Sequence, residues 1–311
     1  MTKAKGIAFT EFGSADVLHP RDIDVPEPGP GQVRIEVRAA GVNPLDHKIR
    51  SGSMNAAFPV ELPHVPGLEA SGVVESVGEG VTGLAVGDEV FGPTASGAYA
   101  SLALAEAAKL AVKPGSLGFP EAAALPTATE TAYRALDALG VQAGETLIVH
   151  GAAGGVGSVA VQFAVTRGLR VIGTASEANH EHLRALGAIP VSYGDGLVDR
   201  VREAAPEGVD AAFDTTGFPE SLAASVELTG GKDRVLTIGN PVTAGEYGVA
   251  FSSGGGKEGY RGEPALAEAL ALHAEGILEV AIHQTYPLAE AADAQRASEA
   301  GHLRGKIVLL P

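Results

Sequence analysis

The sequence predicts an α/β protein with two kinds of unit, a doubly wound parallel sheet and a barrel-like unit of short strands. The chain has 311 residues, which is long enough for two domains. From residue 146 to residue 252, apolar strands alternate with helical segments, a pattern typical of βαβ units around a parallel sheet. In the first 118 residues, short strands are separated by Gly/Pro turns, which is typical of an all-β barrel-like unit.

Composition excludes several classes of function. The chain contains no Cys, which excludes disulfides, thiolate zinc sites, iron–sulfur clusters and a cysteine nucleophile. Its formal net charge of −16 would repel a phosphate backbone. The amino terminus lacks the apolar core of a signal peptide, and no uninterrupted apolar stretch reaches the roughly 18 residues of a membrane span. We therefore expect a cytoplasmic protein whose partners include neither nucleic acid nor a membrane.

A change of periodicity after residue 118 predicts the domain boundaries. The strands predicted before it are Val33–Val37, Ser71–Val77, Val86–Phe91 and Ala98–Leu104. Helical periodicity then begins with Pro120–Leu139, which has Pro in its first turn and Gly140 after its end. We expect residues 1–118 to form the strand-rich domain, residues 119–254 the parallel-sheet domain, and residues 255–311 a return to the first domain.

The parallel sheet is predicted from six apolar runs with helical segments between most of them. The predicted strands are Thr146–His150, Arg170–Thr174, Pro190–Tyr193, Val209–Asp214, Arg234–Ile238 and a sixth around Tyr247–Ser252. The tail predicts a helix at Pro264–Ala274, a strand at Ala281–Tyr286, a helix at Leu288–Ala300 and a last strand at Lys306–Leu310. The Ser/Gly tract at residues 252–256 predicts a mobile loop.

The strongest local motif is a glycine-rich turn after the first parallel strand. The segment 146–158 reads TLIVHGAAGGVGS and is followed by a helix. Such a turn exposes a helix N-terminus, whose N–H groups and dipole bind a pyrophosphate. Gly154 permits close approach of the backbone to phosphate, and Gly157 permits tight packing of the helix on the strand. Ala152 stands where the first glycine of G-x-G-x-x-G would be, and a purely structural turn is the alternative.

The end of the second parallel strand favours NADP over NAD. An acidic residue there would bind the ribose diol of NAD, but the strand ends in Ile-Gly-Thr-Ala-Ser at residues 172–176. Ser176, Asn179 and His180 could donate hydrogen bonds to a 2′-phosphate. Glu177 would repel the same phosphate, so NAD remains the alternative.

With these motifs, the chain resembles the medium-chain dehydrogenase/reductase superfamily, in its zinc-independent quinone oxidoreductase (zeta-crystallin-like) branch. The matching stretches are residues 40–52, 66–81, 87–92, 124–129, 152–157 and 301–308. The resemblance implies a GroES-like catalytic domain, split in sequence around a Rossmann domain that binds NADP(H). It also implies a homodimer.

The zinc-dependent relatives in that superfamily have two cysteines and a His-Glu pair after the glycine equivalent to Gly67. Here Leu68 stands in place of that histidine, and cysteine is absent, so we expect no metal site. Glu69 is then interpreted as structural. His64 lies close in sequence, but a single histidine does not make a metal site.

The resemblance places Asn43 beside the nicotinamide, where its amide could orient the carboxamide or a substrate carbonyl. Asp46 is interpreted as a hydrogen-bond acceptor that stabilises its loop rather than as a general acid. Lys48 is the second catalytic candidate, because an ammonium stabilises developing enolate or quinol charge. Related quinone reductases often have tyrosines where this chain has Lys48 and Met54, which weakens the case for a flat quinone. Lys306 could reach the site or remain a lysine at a strand edge.

The remaining candidates for cofactor binding lie in the glycine turn, at strand ends or on the matched helix, where turn residues are also needed for structural reasons. They are Thr129, Gly154, Gly155, Val156, Thr174, Ser176, His180, Tyr193, Thr216, Gly217, Ile238, Gly239, Phe251 and Ser252, together with Asn43.

These features predict an NADPH-dependent reductase that transfers hydride to a quinone or an α,β-unsaturated carbonyl compound. Two alternatives stay open, an enoyl-thioester reductase and a protein that binds NADPH without turnover. A Ser/His/Asp hydrolase is disfavoured because the chain has no G-x-S-x-G motif.

Overall fold

The computed structural model describes residues 1–254 and 260–311, and the chain divides into two compact units. The first unit contains residues 1–127 and 280–311, and the second contains residues 128–279. The predicted boundaries, after residues 118 and 254, lie earlier in the chain than these observed ones. A helix at 119–124 packs on strands of the first unit, and the helix at 262–274 belongs to the second. Of the glycine-rich tract predicted as a mobile loop, Gly255 and Gly256 lie outside the described residues.

Within the described residues, the secondary structure is as follows. The strands are β1 (Thr2–Ala8), β2 (His19–Val25), β3 (Gln32–Val42), β4 (Glu69–Val77), β5 (Glu89–Pro93), β6 (Leu102–Glu106), β7 (Ala111–Val112), β8 (Thr146–His150), β9 (Arg170–Ala175), β10 (Ile189–Ser192), β11 (Ala211–Asp214), β12 (Val235–Thr237), β13 (Ala250–Phe251), β14 (Ile282–Pro287) and β15 (Lys306–Leu310). The α-helices are α1 (Pro44–Arg50), α2 (Phe119–Ala124), α3 (Pro126–Leu139), α4 (Gly155–Thr166), α5 (His180–Ala185), α6 (Leu197–Ala204), α7 (Pro219–Thr229), α8 (Pro241–Tyr247), α9 (Gly262–Ala274) and α10 (Ala291–Ala300).

The first unit is organised around β3, the longest strand. Its sheet runs β14-β15-β3-β4-β5-β7, with β6 also paired to β3, while β1 and β2 form a separate antiparallel pair. Val33, Ile35 and Val37 alternate into the core, as their pattern predicts, and pack with Phe9 and Tyr99. Strands β14 and β15 and helix α10 also belong to this unit.

The second unit contains a parallel sheet in the order β10-β9-β8-β11-β12-β13, as far as the described residues show. Every residue of β8 is buried, as expected for a central parallel strand covered on both faces. Ile148, Ile172 and Ala212 pack with Val201 of α6 and Leu222 of α7. The predicted α/β class with a doubly wound parallel sheet is therefore confirmed.

One row of side chains crosses this sheet at the carboxyl ends of its strands. The strand register places Thr174 beside His150, His150 beside Asp214, and Asp214 beside Thr237. All four are buried. The polar row therefore closes the apolar core at the edge where open α/β sheets bind ligands.

Several predicted elements are shifted, for local physical reasons. The single helix predicted at 120–139 is two helices, because Pro126 has no N–H to continue the hydrogen-bond ladder. The strand predicted from Val86 begins at Glu89, since Gly87 turns the chain at φ 96°. The sixth parallel strand is only β13, because Tyr247 ends α8 and Gly248 caps it at φ 65°. Strand β2 and helices α1 and α8 were not predicted.

Candidate active site

The glycine turn has the geometry that its sequence predicts. Gly154 is the N-cap residue of α4, at φ −74° and ψ 174°, and the N–H of Ser158 is the first to bond within the helix, to the Gly154 carbonyl. The N–H groups of Gly155, Val156 and Gly157 therefore have no acceptor within α4. A methyl group on Gly154 would approach only the Gly151 carbonyl oxygen, at 3.3 Å, so the turn leaves open space there.

Gly157, unlike Gly154, is closely surrounded by backbone atoms. A methyl group on it would overlap the Gly151 carbonyl oxygen and lie 2.8 Å from the Cα of Ala152. Helix α4 can therefore approach the turn only because residue 157 has no side chain, which is the role the sequence assigns to it.

The residues after β9 form a small polar cluster with the end of β10. Asn179 donates to the hydroxyl of Ser176 at 3.1 Å, and the Nε2 atom of His180 lies 3.4 Å from the hydroxyl of Ser192. Tyr193 follows β10 and is 53% exposed. Arg200, which the sequence analysis missed, donates to the carbonyls of Ser192, Tyr193, Gly194 and Asp195.

Asp214 fixes the loops after β11 and β12. Its carboxylate is fully buried and accepts hydrogen bonds from the N–H and hydroxyl of Thr216, the N–H of Gly217, and the hydroxyls of Ser221 and Thr237. Thr216 and Gly217 therefore lie at the carboxyl edge of the sheet, where the sequence predicts them. A methyl group on Gly239 would collide with the backbone of Thr216 and Gly217, so the loop carrying Ile238 and Gly239 contacts theirs.

His150 closes β8 immediately before the glycine turn. Its Nδ1 atom lies 3.2 Å from the hydroxyl of Thr174, and its Nε2 atom is buried without a hydrogen-bond partner among the described residues. Burial lowers the pKa of His150 to about 4, although the nearby Asp214 carboxylate raises it. The imidazole is therefore neutral at pH 7. The hydroxyl of Thr174 contacts this buried ring and does not face solvent.

The other candidates in the second unit occupy buried or half-buried positions. Thr129 lies in α3 and is completely buried. Phe251 is half-buried in β13, and the buried hydroxyl of Ser252 accepts a hydrogen bond from Arg134. Arg134 is itself paired with Glu130 in α3, at 2.9 Å.

In the first unit, Asn43 is held on both sides of its amide. Its Nδ2 atom donates to Glu69 Oε1 at 2.8 Å, and its Oδ1 atom accepts from the Lys306 ammonium at 2.5 Å. Lys306 also donates to Glu69 Oε1 at 2.7 Å, and the N–H of Thr127 donates to Glu69 Oε2 at 2.7 Å. The amide is therefore engaged within its own unit, and among the described residues only one of its two Nδ2 hydrogens has an acceptor.

Asp46 acts as an acceptor, in agreement with its interpretation from sequence. Its Oδ2 atom accepts from the N–H of Asn43 at 2.9 Å and from the hydroxyl of Tyr99 at 2.8 Å, while Oδ1 is buried without a partner in the described part of the chain. Burial raises the pKa of Asp46 to about 6, against the opposing effect of these hydrogen bonds and of Lys306. Burial also raises the pKa of Tyr99 well above its usual value.

Lys48 is half-buried in α1, and this burial lowers the pKa of its ammonium. His64 packs edge-on against Phe9, with ring centroids 5.4 Å apart, and burial lowers its pKa. Among residues 1–254 and 260–311, no three His, Asp or Glu side chains are arranged to hold a metal ion. Within the same residues, no helix is both long and apolar enough to span a membrane.

Sequence reasoning missed the residues that act through tertiary contacts. Asp214 had a readable signal, because it ends a strand before Thr-Thr-Gly. Tyr99 and Arg134 had no such signal, because no residue near them in the sequence indicates a hydrogen-bond partner 53 or 118 residues away.

Comparison with known proteins places this chain in a family. Residues 29–132 match the alcohol dehydrogenase GroES-like domain, and residues 186–309 match the family described as zinc-binding dehydrogenase. A quinone oxidoreductase of Lama guanicoe is 34% identical across 98% of this chain and 97% of the relative. A 2-methylene-furan-3-one reductase of Solanum lycopersicum is 38% identical over 76% of this chain, but the match spans only 63% of that relative's length.

A mycobacterial protein solved as a complex with NADPH is similar in structure, with a TM-score of 0.84, 32% identity, and coverage of 99% of this chain and 100% of that one. The chain belongs to the medium-chain dehydrogenase/reductase superfamily, in its quinone oxidoreductase branch, and it is an oxidoreductase. The predicted resemblance, with its GroES-like and parallel-sheet domains, is confirmed.

The two glycines of the turn should respond differently to Ala. Gly157→Ala should destabilise the protein by about 1–3 kcal/mol, because the methyl group overlaps backbone that has no room to move. Gly154→Ala should leave stability within about 0.5 kcal/mol but weaken NADPH binding at least about tenfold, as its methyl group would occupy space for a phosphate. Urea unfolding and titration of NADPH fluorescence measure the two effects. A stable Gly154→Ala variant with wild-type affinity would contradict the assignment of the turn.

Asp46 and His150 should impose opposite pH dependences on stability. The raised pKa of Asp46 gives a contribution that is present below its unfolded value of 3.8 and is lost as pH rises through about 6. The lowered pKa of His150 gives a contribution that is present above its unfolded value of 6.5 and is lost as pH falls through about 4. Each contribution amounts to about 3 kcal/mol.

Relative to the wild type, Asp46→Asn should therefore gain stability as pH rises from about 4 to about 7, and His150→Asn should gain stability as pH falls over the same range. Urea unfolding of both variants and the wild type measures the slopes. Slopes of the same sign in the two variants would refute this account.

Proposed function

We propose that this protein is an NADPH-dependent, zinc-independent reductase that transfers a hydride to a quinone or to an α,β-unsaturated carbonyl compound. The observation that carries the proposal is the glycine turn at the start of α4, with three N–H groups that have no acceptor within the helix and with open space at Gly154. The names of the two similar enzymes, a quinone oxidoreductase and a furanone reductase, support the acceptor class.

The dinucleotide would be held by residues of the second unit. Gly154, Gly155 and Val156 would contact the pyrophosphate, and the loops after β11 and β12 would supply Thr216, Gly217, Ile238 and Gly239. The preference for NADPH is supported by the cluster of Ser176, Asn179 and His180 after β9, because its hydroxyl, amide and imidazole are donors for a 2′-phosphate. The exposed carboxylate of Glu177 opposes this preference.

NADPH, when bound, would supply a hydride for the electrophilic carbon of the acceptor. The charge that then develops on the acceptor oxygen requires a nearby donor. In this chain the candidates are the Lys48 ammonium and the remaining Nδ2 hydrogen of Asn43, and the proton would come from Lys48 or from water. Zinc independence is supported by Leu68 beside Glu69, and by the Lys306 ammonium that already neutralises that carboxylate.

We further propose a cytoplasmic homodimer acting on a small molecule. The short strand β13 lies at an edge of the parallel sheet in the described part of the chain, which leaves a strand edge for a second copy. The absence of Cys agrees with a reducing compartment.

The reductase assignment is tested by following NADPH absorbance with quinones, enones and enoyl thioesters, each repeated with NADH. We expect rapid NADPH oxidation by a quinone or an enone, and a KM for NADPH that is at least about tenfold higher in Gly154→Ala. Preferential turnover of enoyl thioesters would establish the first alternative. Tight NADPH binding with no oxidation by any acceptor would instead favour a binding protein without turnover.

Cofactor selectivity is tested with His180→Ala. Loss of one charge-assisted donor to the 2′-phosphate should raise KM for NADPH about tenfold and leave KM for NADH unchanged. Arg184→Ala, an exposed residue of the same helix, is the matched control and should change neither value. If the wild type prefers NADH, or if His180→Ala raises both KM values equally, the assignment of the cluster after β9 is wrong.

A further inference from the structure

Three distant segments of the chain bring a buried lysine to the amide of Asn43. Strand β3 lies between β15 and β4 and is antiparallel to both. The first residues of β15 and β4 therefore lie beside the last residues of β3. Lys306 is the first residue of β15, Glu69 is the first of β4, and Asn43 directly follows β3.

The contacts among these side chains define the orientation of the amide. The ammonium of Lys306 donates to Asn43 Oδ1, and the Glu69 carboxylate accepts from Asn43 Nδ2. If the amide rotated by half a turn, its NH₂ group would face the ammonium and its oxygen would face the carboxylate. Both contacts would then be repulsive in an environment that screens charges poorly, since the three side chains are 8% exposed or less.

From this geometry we infer that Lys306 is a positioning residue of the enzyme, which holds the Asn43 carboxamide in one orientation and thereby directs its remaining N–H toward the bound reactants. The inference rests on the proposed function, in which Asn43 contacts the nicotinamide or the acceptor. Lys306 acts through Asn43, and it neutralises Glu69 so that the carboxylate can stay buried.

The competing interpretation is a lysine that only stabilises the fold. The first unit contains such a lysine at another place. Lys113 is buried to a similar degree, pairs with Glu89 at 2.7 Å, and donates to the carbonyl of Leu117 at 2.8 Å. It makes no hydrogen bond to Asn43, so Lys113→Met is a control for the loss of a buried, paired ammonium, although its partner Glu89 is 45% exposed.

The experiment measures kcat, KM for the acceptor and NADPH affinity for the wild type, Lys306→Met, Lys306→Arg and Lys113→Met, well below their unfolding temperatures. Lys306→Met should lower kcat at least about tenfold, because a misdirected catalytic group loses rate more than affinity. NADPH affinity should stay within twofold, and Lys306→Arg should recover part of kcat. Lys113→Met should be less stable than the wild type but have the same kcat. A Lys306→Met enzyme with wild-type kcat would overturn the inference.

A double-mutant cycle tests whether Lys306 acts through Asn43. Asn43→Ala should lower kcat, and Asn43→Ala with Lys306→Met should be no slower than Asn43→Ala alone. Rate losses that multiply in the double variant would refute action through Asn43. If Lys306→Met does not fold, Lys306→Gln replaces it throughout, because an amide can pair with either end of Asn43 and no longer selects one orientation.

Failure of the proposed function can be distinguished from failure of this inference. A wild type that reduces quinones or enones while Lys306→Met does so equally well refutes only the positioning role. A wild type that is inactive with every acceptor refutes the reductase. In that case the unfolding temperatures of the same four proteins still decide whether Lys306 and Asn43 are coupled. Additive shifts in unfolding temperature would show that Lys306 does not hold the amide.

Discussion

A carboxylate that is buried away from water needs hydrogen-bond donors or a counter-ion within the protein. Each unit of this oxidoreductase is arranged around one buried carboxylate with such partners. In the second unit, the donors to Asp214 among the described residues are backbone N–H groups of the loop after β11 and hydroxyls of that loop, of α7 and of β12. In the first unit, Glu69 is supplied by an ammonium, an amide and a backbone N–H. Asp214 holds the loop that carries Thr216 and Gly217, and Glu69 holds the amide of Asn43.

The two solutions have different consequences. Neutral donors around Asp214 leave a charge at the carboxyl edge of the sheet and shape the loops after β11 and β12. The ammonium beside Glu69 forms a neutral pair, and this pair engages both ends of the amide of Asn43, the proposed contact of the nicotinamide or the acceptor. Asp46 and Tyr99 extend the same network toward the core. The described residues contain no set of metal ligands. The ammonium of Lys306 nevertheless places a positive charge beside Asn43, a polar residue of the candidate site.

Prediction from sequence succeeded where the signal is local. The strands Thr146–His150 and Lys306–Leu310 were predicted to the residue. An apolar run bounded by turn residues can be recognised from a few neighbouring positions in the sequence. The close packing of α4 at Gly157 followed from its place in the glycine turn. Sequence reasoning was less complete at Asn43, whose amide was expected to orient the nicotinamide carboxamide or a substrate carbonyl, with no partner in the protein named. The partners that engage this amide lie 26 and 263 residues away in the chain.

The sequence by itself determined the fold class, the family and the position of the glycine-rich turn, since periodicity and glycine spacing act over one element or one turn. Tertiary structure alone decided which polar residues meet. Only the order of strands in the first unit's sheet makes Lys306 a partner of Asn43 rather than a lysine at a strand edge. Only the register of β8, β9, β11 and β12 aligns Thr174, His150, Asp214 and Thr237. Hydrogen bonds and ion pairs act over a few ångströms in space, and no pattern along the chain encodes that proximity.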